Sequence, residues 1–159
     1  MTANLQETFT IERELRACRA HVFAAWSQGD FKRRWFVEGD GPQWSTRAYQ
    51  LDFRVGGWER GSFVLNEGPG AGEHRNESVY LDIVPGERIV YAYTMALDGR
   101  IHSASLATVL FADHNGGTRL RYTEQGAFFP PSDCAAGREQ GWVVLLGYLQ
   151  RELERQGDA

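Results

Sequence analysis

The last thirty residues of the chain constrain its fold more than any other stretch. Apolar side chains recur there at i, i+3, i+4, i+7 and i+11, which is the spacing of one face of an α-helix. This stripe consists of Trp142, Leu145, Leu146, Leu149 and Leu153. Two prolines, Pro130 and Pro131, precede it, and Ser132 and Asp133 offer helix N-caps. The pattern predicts one long helix over residues 133–155.

The middle of the chain has a different period. From about residue 45 to residue 128, apolar and polar side chains alternate as in β-strands. Turn signals at Gly56-Gly57, Pro85-Gly86, Asp98-Gly99 and Asn115-Gly116-Gly117 divide this stretch into strands, and Asp98-Gly99 is typical of a type I′ hairpin. A sheet of this kind must curl, and its concave face must be covered.

The sequence therefore predicts an α+β fold of the helix-grip kind. A curved antiparallel sheet of six or seven strands wraps around the long C-terminal helix. One strand and two short helices near residues 17–36 precede the rest of the sheet, and Gly39 to Pro42 separates the helices from it.

Length and composition indicate an ordinary globular protein. The chain has 159 residues, of which 42% are hydrophobic and 24% charged, so we expect one domain over residues 1–159. A net charge of −4 disfavours nucleic acid as the main partner. No apolar run approaches the roughly 18 residues of a membrane span, and the polar N-terminus lacks a signal-peptide pattern. We expect a cytoplasmic protein with two reduced cysteines and no membrane partner.

Neither a metal site nor a cofactor is expected. The histidines, at positions 21, 74, 102 and 114, are dispersed and lack ligand spacing with one another or with cysteine. The glycine pairs lie in predicted hairpin turns rather than between a strand and a helix, so they are not phosphate loops.

Strand alternation predicts which side chains face the C-terminal helix. They form either a packed core or the lining of a pocket of about 300–1,000 Å³. The predicted ligand-binding residues are Phe53, Leu81, Tyr91, Tyr93, Met95, Val109, Phe111, Tyr122, Trp142, Leu145, Leu146 and Leu149. Gly137 and Gly141 lie one turn apart on a neighbouring helix face. They indicate either close packing of helix on sheet or a cavity between them.

Two carboxylates are the candidate catalytic residues. Strand alternation predicts that the side chains of Glu77 and Glu124 point inward, and both residues lie near strand ends. A buried, unpaired carboxylate is costly and tends to become neutral, so it could serve as a general acid or base. Either side chain could instead reach water.

Residues Lys32 to Arg34 form a basic cluster with two possible interpretations. The cluster is either a solvated helix face or an anion-binding mouth of the cavity.

Five short motifs occur in an order that resembles the START-like (SRPBCC) superfamily over about residues 8–155. The branch is the one named for the activator of heat-shock-protein ATPase. The motifs are Val22-Phe23-x-x-Trp26 followed by Trp35-Phe36, Leu51-Asp52-Phe53-Arg54-Val55-Gly56-Gly57-Trp58, Pro85-Gly86-Glu87-Arg88-Ile89-Val90-Tyr91, Gly116-Gly117-Thr118-x-Leu120 and Gly141-Trp142-x-x-x-Leu146-x-x-Leu149.

The resemblance implies a hollow helix-grip fold but no single activity, because the superfamily hosts ligand carriers, cyclases, hydrolases and chaperone regulators. We expect a protein that binds a small, mostly apolar molecule between sheet and helix. The alternatives are a cyclase- or hydrolase-type enzyme that uses Glu124 or Glu77, and a regulator of a heat-shock chaperone ATPase. Chaperone co-regulators of this kind carry a further N-terminal domain, and nothing before Phe9 fits one, so a chaperone partner is not expected. Edge strands together with Trp44 and Trp58 suggest a homodimer.

Overall fold

A computed structural model describes residues 5–38 and 44–157, which form a seven-stranded antiparallel sheet and three helices. The elements in chain order are β1 (Gln6–Leu15), α1 (Arg19–Ser27), α2 (Gly29–Phe36), β2 (Trp44–Leu51), β3 (Trp58–Leu65), β4 (Gly72–Val84), β5 (Arg88–Leu97), β6 (Arg100–His114), β7 (Gly117–Phe128) and α3 (Ala135–Gln156). The strand order across the sheet is β1-β7-β6-β5-β4-β3-β2. The predicted helix-grip α+β fold is confirmed. The predicted break at Gly39 to Pro42 lies outside the described residues.

Tight turns connect the long strands. Asp98 and Gly99 join β5 to β6 with φ angles of 48° and 81°, and Asn115 and Gly116 join β6 to β7 with the same pair of values. Positive φ at both central residues defines the type I′ turn predicted at Asp98-Gly99, and its twist matches that of the flanking strands.

β4 faces the opposite way from the prediction over most of its length. Val79 and Leu81 lie on the outer, convex face and are 48% and 50% exposed, and Glu77 is exposed beside them. Asn76 and Ser78 point inward instead and are buried. The predicted inward positions of Leu81 and Glu77 are therefore wrong.

A β-bulge explains part of this error. The pairing of β4 with β5 shifts between Tyr80 and Asp82, so Leu81 is an extra residue without a direct partner. An extra residue reverses the side-chain parity beyond it. Ile83 accordingly packs against the core, although Val79 on the same strand faces outward.

The long helix begins at a different cap from the predicted one. Cys134 is the N-cap, and its Sγ accepts a hydrogen bond from the backbone N–H of Gly137 at 3.4 Å. Asp133, one of the predicted caps, instead accepts from the backbone N–H of Cys134 and from the Arg138 guanidinium.

α3 is anchored to the rest of the protein through Trp142. The Trp142 ring stacks on Tyr122 of β7, with centroids 4.1 Å apart, and lies parallel to Trp26 of α1 at 6.0 Å. Leu146 and Leu149 follow on the same helix face and are buried. The helix therefore packs between the sheet and the two short helices, as its apolar stripe predicts.

Within the described ranges, no helix is long and apolar enough to cross a membrane. The same residues contain no group of three or more potential metal ligands. Cys18 and Cys134 are free thiols, as predicted, and both are exposed.

Candidate functional site

An apolar cavity of about 360 Å³ lies between residues 138–148 of α3, the end of α2 and strands β2 to β5. This volume lies within the usual range of small-molecule sites, about 300–1,000 Å³. The lining consists of Phe36, Val37, Trp44, Phe63, Asn76, Tyr93, Met95, Arg138, Gly141, Trp142, Val144, Leu145 and Tyr148. Gly141 and Val144 are also exposed to solvent, so they lie at the mouth of the cavity.

Four of the twelve predicted ligand-binding residues line this cavity, namely Tyr93, Met95, Trp142 and Leu145. Most of the others lie in the packed core: Tyr91, Val109, Phe111, Tyr122, Leu146 and Leu149. Phe53 is partly buried and packs on the core, 5.0 Å from the ring of Tyr80, whereas Leu81 lies on the outer face. The predicted interior is thus mainly close-packed, and the cavity occupies one end of it.

An aromatic wall formed by α2, β2 and β3 was not predicted from the sequence. Phe36, Trp44 and Phe63 form this wall, with the rings of Trp44 and Phe63 4.8 Å apart. Trp44 therefore faces the cavity and does not belong to the surface pair on which the predicted dimer rested. Arg138 was also missed, although its position four residues before Trp142 puts both on one helix face.

Gly137 and Gly141 of α3 have different surroundings. A Cβ atom at Gly141 would meet no atom within 4 Å, and the residue lines the cavity. A Cβ atom at Gly137 would lie 3.3 Å from the Sγ of Cys134. The interpretation of these glycines as making room for a cavity therefore holds at Gly141. Gly137 is exposed and its near neighbour is the N-cap of its own helix, so it does not mark close packing of helix on sheet.

Glu124 is fully buried behind the cavity and has four hydrogen-bond donors. The hydroxyls of Tyr93 and Tyr122 donate to its Oε1 at 2.5 and 2.6 Å. The Ser105 hydroxyl and the Arg138 guanidinium donate to its Oε2 at 2.6 and 3.1 Å. The Glu124 side chain has no exposed surface, so it does not itself contact the cavity. It instead holds Tyr93 and Arg138 in place, and these two side chains line the cavity.

Arg138 connects this carboxylate to the surface. Its guanidinium also donates to the Ser103 hydroxyl at 2.7 Å and to Asp133, which His102 contacts at 2.7 Å. Burial alone would lower the pKa of Arg138, but Tyr93, Glu124 and Asp133 outweigh it and the pKa is raised. The guanidinium thus stays charged between two carboxylates.

The phenols around Glu124 act as donors. Burial, reinforced by the Glu124 carboxylate, raises the pKa of Tyr93 above its ordinary value. Burial likewise raises the pKa of Tyr122, with further contributions from Tyr91, Tyr93 and Glu124. Both groups therefore keep their protons at neutral pH and hold the carboxylate in place.

A second buried ion pair lies beneath α2. Lys32 Nζ contacts Glu59 Oε2 at 2.7 Å, both side chains are 1% exposed, and the Tyr49 hydroxyl donates to the same oxygen. Lys32 Nζ also lies 4.7 Å from the Phe36 ring centroid and 5.1 Å from that of Trp26. Burial lowers the pKa of Lys32, and Glu59 opposes this shift.

Lys32 therefore belongs neither to a solvated helix face nor to an anion-binding mouth. Its neighbours Arg33 and Arg34 form ion pairs with Glu38 at 3.4 Å and with Glu152 at 2.6 Å.

Replacing Glu124 by glutamine is expected to destabilise the protein by about 2–3 kcal/mol, because the change removes the charge facing Arg138 and turns an acceptor into a donor facing donors. Urea denaturation measures the loss. Ser105→Ala, which removes a single neutral donor from the same carboxylate, is the matched control and should cost about 1 kcal/mol. A Glu124→Gln protein as stable as the wild type would show that the network contributes nothing.

An antiparallel sheet wrapped around a C-terminal helix, with an apolar cavity between them, defines the START-like (SRPBCC) class of domains. Residues 16–154 match the family model described as activator of Hsp90 ATPase homolog 1-like protein. The chain belongs to this family.

Solved structures extend the comparison. An uncharacterised protein of Rhizobium leguminosarum is 41% identical, with 94% of this chain and 95% of that chain covered and a TM-score of 0.85. The Mll3558 protein of Rhizobium loti is 45% identical, with 93% and 97% covered and a TM-score of 0.81. The CV1439 protein of Chromobacterium violaceum, at 24% identity, 91% and 94% coverage and a TM-score of 0.75, shares the fold. No curated protein gives a significant match to the sequence.

Proposed function

We propose that this protein binds a small, mostly apolar molecule in the cavity between the sheet and α3. The observation that carries this proposal is a cavity of about 360 Å³ whose lining is largely aromatic and aliphatic. A concave, mostly apolar wall with few polar groups is typical of small-molecule sites. Trp44 and Phe63 on one side and Trp142 on the other supply flat surfaces that suit a planar ligand.

Two further features support binding at this place. The cavity mouth passes Gly141, where the absence of a side chain leaves the path open. Part of the cavity wall is fixed, because Tyr93 of β5 and Arg138 of α3 are held by the buried Glu124. A preorganised wall lowers the ordering cost of binding.

The experiment is a fluorescence titration with N-phenyl-1-naphthylamine, a neutral apolar dye, together with native mass spectrometry of the purified protein. We expect saturable dye binding with one molecule per chain. We also expect any small molecule retained from expression to be displaced by the dye. Dye fluorescence that rises without saturation, or a stoichiometry well above one, would contradict a defined cavity.

Replacing Gly141 by leucine is expected to block the cavity without destabilising the helix. An added side chain meets open space, and leucine is the better helix former by up to about 1 kcal/mol. We expect dye affinity to fall at least about tenfold while the melting temperature stays the same or rises. Fluorescence titration and thermal denaturation check the two halves of this result.

Gly147→Leu is the matched control for this variant. Gly147 lies on the same helix, an added Cβ there also meets nothing within 4 Å, and the residue does not line the cavity. The control should gain a similar helix propensity and keep its dye affinity. Equal affinity in both variants would place the dye outside the cavity.

Regulation of a heat-shock chaperone ATPase is a second candidate function. It is favoured by the family's description and by the apolar side chains of Val79 and Leu81, which are about half exposed on the convex face. The test is an Hsp90 ATPase assay with the wild type and with Leu81→Glu. Stimulation that is lost in the variant would support this candidate, and no stimulation by the wild type would reject it.

A cyclase- or hydrolase-type reaction that depends on the predicted carboxylates has less support. Glu124 has no exposed surface and four bound donors, and Glu77 lies on the outer face.

A further inference from the structure

One polar side chain in the cavity wall has no hydrogen-bond partner among the residues that the structure describes. Asn76 is 2% exposed, and neither its Oδ1 nor its Nδ2 has a hydrogen-bond partner among residues 5–38 and 44–157. It lies on β4 between Gly61 of β3 and Met95 of β5 and lines the cavity. Buried amides are nearly always hydrogen-bonded, because an unpaired one destabilises the folded chain.

The neighbouring strand makes room for this amide. A Cβ atom on Gly61 would lie 2.5 Å from Asn76 Oδ1 and 2.9 Å from Val37 Cγ1, closer than real contacts allow. Even an alanine at position 61 would therefore displace the Asn76 side chain. The absence of a side chain at Gly61 thus leaves room for the unpaired carboxamide of Asn76 in the wall of a mostly apolar cavity.

The charge of the lining disfavours an anionic ligand. Among the described lining residues Arg138 alone carries a positive charge, and its guanidinium already contacts Glu124 at 3.1 Å and Asp133. Two carboxylates share this one cation, so an incoming carboxylate would meet no unpaired positive group. Transfer of an ionised group into such a site is strongly unfavourable.

We propose that the cavity selects neutral molecules in which an apolar, flat body carries a carboxamide or lactam group that pairs with Asn76. Such a group presents one donor and one acceptor side by side, which is the complement of the asparagine amide. This inference rests on the proposed binding function and adds the chemical class of the ligand.

The test compares three probes with the same ring system at pH 7.5. They are 2-naphthamide, which is neutral and carries the donor–acceptor pair, 2-naphthoate, which is anionic, and 2-ethylnaphthalene, which is apolar throughout. Displacement of N-phenyl-1-naphthylamine gives the three affinities. We expect the amide to bind about tenfold more tightly than the hydrocarbon, and the carboxylate to bind more weakly than both.

Asn76→Leu supplies the second comparison. The variant should keep its affinity for 2-ethylnaphthalene and lose the preference for 2-naphthamide. The wild-type comparison does not depend on how well this variant folds. Binding of the hydrocarbon with no preference for the amide, binding of naphthoate as tight as that of the amide, or an amide preference that persists in Asn76→Leu would each overturn the inference. The proposed function would survive these three results. It would also survive a failure of all three probes to displace the bound dye, which would overturn the inference alone, whereas absence of saturable dye binding would reject both.

Discussion

Replacing Lys32 by methionine is expected to lower the free energy of unfolding by about 3–5 kcal/mol, because the change leaves the Glu59 carboxylate buried without its cation. Both side chains are 1% exposed, so water cannot replace the lost partner. For a chain of this size the loss corresponds to a drop of about 10 °C in melting temperature. Urea and thermal denaturation measure the two quantities.

Two variants separate the buried charge from other effects. Lys32→Met combined with Glu59→Gln removes both charges and should recover at least half of the loss, since the uncompensated carboxylate is gone. Arg88→Met breaks the half-exposed ion pair between Arg88 and Asp82 and should change stability by no more than about 1 kcal/mol. A Lys32→Met protein that loses as little as Arg88→Met would contradict the account of this pair.

The protein is expected to unfold steeply above pH 10, because five of its six tyrosines have raised pKa values. Burial is the main cause in each case. The five are Tyr49, Tyr80, Tyr91, Tyr93 and Tyr122. Above about pH 10 the unfolded chain releases these protons and the folded chain keeps them, so stability is full below this pH and is lost as the pH rises. Each group contributes about 1.4 kcal/mol per pH unit, or about 7 kcal/mol per unit for all five.

Lys32 does not offset this loss. Its lowered pKa makes stability rise with pH between its folded value and its ordinary value of about 10.4, and it contributes no pH dependence beyond that. Circular dichroism and tyrosinate absorbance, recorded together from pH 8 upward, check the prediction. We expect both signals to change in one transition. Tyrosinate forming near pH 10 while the circular dichroism stays native would show that these phenols are accessible.

Local periodicity was sufficient to predict the fold. Turn pairs such as Asp98-Gly99 predict the hairpins, and the apolar stripe that contains Trp142 predicts the long helix. Both predictions depend only on residues that are close together in the sequence. The parity of β4 was not predictable in this way. Its outward positions include the apolar Val79 and Leu81, its inward positions include the polar Asn76 and Ser78, and a bulge follows at Tyr80.

The candidate site was predicted only in part because three distant segments build its wall. Trp142 and Leu145 follow from the helical stripe, and Tyr93 and Met95 follow from the alternation of β5. The wall that contains Trp44 and Phe63 forms because the sheet curls toward α2. The direction of this curvature cannot be predicted from a local sequence pattern. The partner of Glu124 could have been found, since Arg138 lies on the same helix face as Trp142.

Binding inside the cavity is tested most directly by proton–nitrogen correlation NMR of the tryptophan indole groups during titration with N-phenyl-1-naphthylamine. Trp44 and Trp142 line the cavity, whereas Trp58 lies on the convex face beside Val79 and Arg60. We expect the indole signals of Trp44 and Trp142 to shift and saturate together while that of Trp58 stays in place. A titration that shifts Trp58 and leaves Trp44 and Trp142 unchanged would contradict binding inside the cavity.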